Sequence, residues 1–111
     1  MALRSGLRWY GDAVEAKAMA AATTGVNLTL ARCLALAIPR APVDTGALRA
    51  SGFIRPAVRM GTTVMGSWGF SAAYAAYVEL GTIRMAARPF MRPAMDVEYP
   101  QLARRIRAAF T

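Results

Sequence analysis

The chain has 111 residues, 56% of them apolar and 18% charged, and carries a formal charge of +8 with no histidine and a single cysteine. This composition argues against intrinsic disorder and fits one domain, 1–111, with one modest core. It excludes an intrachain disulfide and a Cys/His metal cluster, and it lacks the commonest general base at neutral pH. Much of the apolar content is alanine, which buries little area per residue, so the sequence predicts apolar surface left over for a neighbour.

Arg4 and Arg8 stand early, but Trp9, Tyr10, Gly11 and Asp12 follow without a continuous apolar run, so the start does not read as a secretory signal. Asp12, with Glu15 three residues on, has the spacing of a capping box and opens a long helix to Ile38. Met19, Ala22, Val26, Leu30, Cys33 and Ala37 recur at three- and four-residue steps and form one face. Gly25 weakens the middle by about 1 kcal/mol relative to alanine and invites a bend. Beyond it Leu28, Ala31, Leu34 and Ile38 add a second apolar side, which predicts that this half is the more deeply buried. Pro39 and Pro42 end the helix. Cys33 on the apolar face reads as an inert thiol.

Asp44-Thr45-Gly46 then reads as a turn or cap. Residues 51–59 and 62–68 are extended and joined at Met60-Gly61 as a hairpin, with Pro56 confined to an edge or a bulge. The uncharged run 60–78 is long enough to cross a bilayer, but Gly61, Gly66 and Gly69 divide it into strand, turn and short helix, so a soluble protein is expected. Ser71 caps that short helix and Gly81 ends it. Arg88-Pro89 is extended, Phe90 suits an apolar pocket, and Pro93 starts a final helix that Pro100 interrupts near Tyr99. Leu102, Ile106 and Phe110 continue its apolar face, with Arg104, Arg105 and Arg107 outside. The fold class is α+β: a long N-terminal helix, an antiparallel β-hairpin or small sheet, a short helix, and a C-terminal helix packed on the sheet.

Three tracts carry more than secondary structure. They are Pro42-Val43-Asp44-Thr45-Gly46-Ala47-Leu48-Arg49-Ala50-Ser51, then Tyr74-Ala75-Ala76-Tyr77-Val78-Glu79-Leu80-Gly81-Thr82, then Ala87-Arg88-Pro89-Phe90-Met91-Arg92-Pro93-Ala94. Proline, glycine, threonine and a lone carboxylate at these spacings fix the backbone and offer contact surface; they do not move protons. Glu79 is the one acid in a stretch otherwise uncharged over 60–83, with Arg84, Arg88 and Arg92 following, so pairing with an arginine of the same or the next subunit is expected.

In this order, over about half the chain, the tracts resemble the gene-product-ten-like family of neck, or tail-component, proteins of long-tailed double-stranded DNA phages. The resemblance implies a structural virion protein at the joint between capsid and tail, either a neck or a tail-completion subunit, assembled in the host cytoplasm. It implies a homo-oligomeric ring, six-fold by analogy with tail symmetry. Its partners would be a head-closure or connector protein and a tail terminator or tail tube protein, with genomic DNA passing non-specifically through the lumen and no membrane. It places subunit or partner contacts at Asp44, Thr45, Gly46, Leu48 and Arg49, at Tyr77, Glu79, Gly81 and Thr82, and at Arg88, Pro89, Phe90 and Met91. Pro100 departs from the family's more continuous last helix.

No phosphate loop, nucleophile elbow or metal-ligand spacing is present, and Asp96 and Glu98, two apart on a helix, point to different sides. No enzyme activity and no cofactor are expected. The alternative raised by the charge is a small basic DNA-binding protein using its arginines on phosphate. Against it, the arginines are scattered rather than gathered on one recognition helix.

Overall fold

The apolar periodicity places the long helix correctly. In a computed structural model, which describes residues 3–10, 16–42, 46–61, 63–83 and 86–110, helix α1 spans Ala16–Arg40, and all six residues of the predicted face are buried. Asp12 and Glu15 lie outside the described residues. The second apolar side is not buried as expected: Leu28 is half exposed and Ala31 exposed, with Leu34 and Ile38 only partly covered. Only one flank of α1 meets the rest of the protein, so the later apolar residues form the margin of a single stripe. Pro39 does not end the helix but sits in its last turn, where the Ala41 N–H still donates to the Ala37 carbonyl at 3.1 Å. By length and composition α1 could cross a bilayer, yet here its apolar stripe faces a sheet and a second helix.

The sheet has three antiparallel strands, β1 (Leu3–Tyr10), β2 (Gly52–Met60) and β3 (Thr63–Phe70), in the order β1-β3-β2. The β2–β3 hairpin is the one predicted; β1 is an addition, running from Leu3 opposite Phe70 to Tyr10 opposite Thr63. A short helix, α2 (Ala47–Ala50), links α1 to the sheet. Val64, Trp68 and Phe70 are fully buried on the side facing α1. Gly66 lies among them because a Cβ there would stand 2.7 Å from Leu30 Cδ1 and 3.1 Å from the Ala57 backbone, so its lack of a side chain lets helix and sheet approach. Pro56 occupies a bulge, as expected, marked by a register shift between Arg55 and Val58. The Ala57 N–H in that bulge donates to Asn27 Oδ1 on α1 at 2.7 Å.

Helix α3 (Ala75–Leu80) starts after Tyr74, not at Ser71; the Ser71 N–H donates instead to the Ser51 carbonyl. Gly81 ends α3 as predicted, at a φ of 77° that favours glycine, with its N–H on the Tyr77 carbonyl at 2.8 Å. The C-terminal helix is divided at Pro100: α4 (Arg92–Glu98), a 3₁₀ turn (Tyr99–Gln101) and α5 (Leu102–Phe110). This segment meets the sheet where Trp68 Nε1 donates to Tyr99 Oη at 3.1 Å, then runs back along α1. The crossing is close at Gly25, where a Cβ would fall 2.5 Å from Ile106 Cγ1. Gly25 is therefore a contact point between helices. Arg105 is not on the outer side: it is part-buried against Thr29 of α1, with its guanidinium paired to the Glu98 carboxylate. Arg104 and Arg107 are exposed as expected.

Candidate interaction surface

Several residues of the three tracts build the fold from within. Asp44 and Thr45 lie outside the described residues. Gly46 precedes α2 at a φ of 81°, and Leu48 is a core residue. Arg49 turns back on the end of α1, with Nε donating to the Ala41 carbonyl at 2.9 Å and Nη2 to the Pro39 carbonyl at 2.8 Å. A cation placed there satisfies carbonyls that the helix leaves open and complements its negative end.

The second and third tracts fold onto each other through Glu79, whose side chain is buried. Its Oε1 accepts the N–H groups of Phe90 at 3.0 Å and Met91 at 2.8 Å, and its Oε2 that of Arg92 at 3.2 Å. The expected arginine partner is replaced by the amides opening α4, where a carboxylate meets unpaired donors and the positive end of the helix. Beside it, the Arg88 N–H donates to the Val78 carbonyl at 2.8 Å. Phe90 packs edge-on against Phe70 with ring centroids 4.9 Å apart, and Phe70 stands edge-on to Trp68 at 6.4 Å. Phe90 and Met91 are core residues, so they cannot act as surface anchors without unfolding this corner.

Tyr77, Thr82, Arg88 and Pro89 remain exposed, with Gly81 partly covered at the end of α3. Tyr77 shares the spacing of one side of α3 with Tyr74 and Leu80 (74% exposed), and Ile83, beyond Gly81, is fully exposed. A second open surface is the side of the sheet away from α1. There Arg55 registers opposite Ser67 and Val58 opposite Met65, and a hollow of about 420 Å³ lies over the bulge. Both surfaces are nearly free of carboxylates: of the described acids, Glu79 and Glu98 are buried and Asp96 on α4 is exposed. Sequence reasoning had singled out neither Leu80 nor Ile83 as a contact, although both stand in the stretch between Met60 and Arg84 that is uncharged apart from Glu79.

Among the described residues no three His, Cys, Asp or Glu side chains come together in a way that could hold a metal ion. Cys33 is fully buried in the core, and that burial, more than the nearby Glu98 carboxylate, pushes its thiol up to about 12. Such a thiol is a packing group at neutral pH. No family model, curated protein or solved structure matches the chain. The surfaces just described and the three tracts are therefore what a reading of function rests on.

Proposed function

We propose that this chain is a structural subunit of a phage head-tail joint, a neck or tail-completion protein that works by forming a ring between the capsid connector and the tail. Its work is geometric: one face docks the head-closure side, the other the tail terminator or tube, and DNA passes through the lumen. The observation that carries this reading is the set of exposed uncharged side chains Tyr74, Tyr77, Leu80 and Ile83 on a domain of charge +8, with α3 tied to α4 by the buried Glu79. A small soluble domain that presents such a set has a partner for it. The order of the three tracts supports the family reading, and the locking roles of Arg49, Glu79 and Gly81 give those tracts a physical reason to recur together.

The test is to make particles without this chain. Full but tailless capsids beside free tails are expected, and adding the purified protein should join them. Complete, infectious particles made in its absence would overturn the proposal. A second reading, non-specific binding of duplex DNA by a monomer, is favoured by the exposed Arg32, Arg40, Arg55, Arg92, Arg104 and Arg107. It predicts duplex affinity that falls steeply with salt and no assembly on particles.

A further inference from the structure

We propose that the open face of the sheet holds single-stranded nucleic acid, with one phosphate among three arginine positions and the attached base against an apolar wall. This goes beyond both readings above, neither of which calls for a single strand. The register sets the arrangement. Across the middle of the sheet Gly6 on β1 stands opposite Ser67 on β3, and Ser67 opposite Arg55 on β2. Arg4 and Arg8 occupy the positions two before and two after Gly6, on the same side of β1 and about 7 Å from it along the strand, while Arg55 lies about 10 Å from it across the sheet. Three arginine positions therefore surround one bare spot, and that spot belongs to the hollow of about 420 Å³.

Charge and shape together select the occupant. Arg55 is exposed, its guanidinium lies over the Phe53 ring at 5.5 Å, and among the described residues no carboxylate pairs with it. No position on this side of the three strands is acidic, and among the described residues the exposed acid, Asp96, is on α4. Arg55 is thus left to an outside anion, and a guanidinium matches a phosphate with two parallel bonds. The other wall of the hollow is apolar, formed by Pro56, Val58 and Met65. A duplex presents phosphate and sugar with its bases stacked inside, so it would meet the arginines and leave that wall uncovered. A single strand brings both a phosphate and an unstacked base, and a hollow of about 420 Å³ is within the range of pockets that enclose a small ligand.

The experiment measures fluorescence anisotropy of a labelled oligothymidylate with the full-length chain at low salt, and the unaltered chain is expected to bind it. The decisive variant is Gly6→Leu, which removes no charge and whose Cβ would have the Gly66 carbonyl oxygen, at 4.0 Å, as its nearest neighbour. By filling the hollow it should weaken binding about tenfold or more, the loss of one stacked base, with Tm unchanged. Arg55→Ala should lower the slope of log affinity against log salt by about 0.7, the value of one phosphate contact on a single strand. Arg104→Ala removes the same charge from α5 and should leave the affinity within twofold. Undiminished binding by Gly6→Leu, or equal losses in Arg55→Ala and Arg104→Ala, would mean attraction by net charge alone and overturn the proposal. Tighter binding of the matched duplex overturns it, as does displacement of the oligonucleotide by polyglutamate as readily as by unlabelled strand, which would make the occupant an acidic polypeptide. Absence of binding by the unaltered chain overturns it outright.

Discussion

Replacing Glu79 by glutamine tests whether the carboxylate is an internal clamp or a subunit contact. The substitution keeps the shape but changes two things: the remaining carbonyl oxygen can still accept from Phe90 and Met91, while the new NH₂ group confronts the Arg92 N–H. Bonds to a charged acceptor contribute about 1.5–3 kcal/mol and neutral ones about 0.5–1.5, so the two retained bonds weaken by about 1 kcal/mol each. The loss of an acceptor for the part-buried Arg92 amide brings the expected cost of Glu79→Gln to about 2–3 kcal/mol. In a domain of this size that is a fall in Tm of roughly 10 °C. Urea unfolding followed by tryptophan fluorescence reads it directly, as a lower midpoint with unchanged slope. Glu79→Ala, which removes every acceptor, should cost more. A loss below about 0.5 kcal/mol for Glu79→Gln would refute the clamp. Unchanged stability with lost assembly would return Glu79 to the subunit seam.

Gly25→Ala should destabilise by about 1–3 kcal/mol in the same urea assay, against the stabilisation that helix propensity alone predicts, because the new methyl meets Ile106 and the α5 backbone. Arg105→Met should cost about 3–5 kcal/mol by leaving Glu98 charged and unpaired, whereas the double change Glu98→Leu with Arg105→Met should recover most of it, as a double-mutant cycle would show. Cys33 should resist Ellman's reagent at pH 8 in the native protein and react within the mixing time in urea. Because its folded titration lies above the ordinary 9.0, its neutral form favours the native state fully below pH 9, and that contribution disappears as pH rises toward about 12. The decline of stability with pH over that window should be shallower in Cys33→Ala.

What could be read from the sequence was whatever is local. The 3.6-residue period located the buried face of α1, Gly81 and Pro93 marked the bounds of α3 and α4, and Pro56 and Pro100 marked the bulge and the break. Strand β1 was missed although Leu3, Ser5, Leu7 and Trp9 alternate with Arg4, Gly6, Arg8 and Tyr10. Its partner β3 lies more than fifty residues on, and no turn signal announces the pairing. The partner of Glu79 was misread for the same reason. Spacing points to nearby arginines, whereas the acceptor is needed by amides that only the folded chain brings to it. Arg105 looked like a surface charge because the 3₁₀ turn at Tyr99–Gln101, which sets its approach to Glu98, is not a regular continuation of α4. For the candidate contacts, chemistry alone could not distinguish Tyr77, left outside, from Phe90, taken inside; both are aromatic residues in conspicuous tracts.

The bond between Asn27 and the Ala57 amide also bears on how the protein reaches its native form. A hairpin with an inserted residue has more than one way to align its strands, and the two-residue alternation makes a slip by one exchange its inner and outer faces. The group that rewards the native alignment is thirty residues earlier, on a helix. Docking of the hairpin on the helix is therefore expected to help fix the strand alignment during folding. Asn27→Ala is expected to slow refolding as well as lower stability, a combination that stopped-flow fluorescence can resolve.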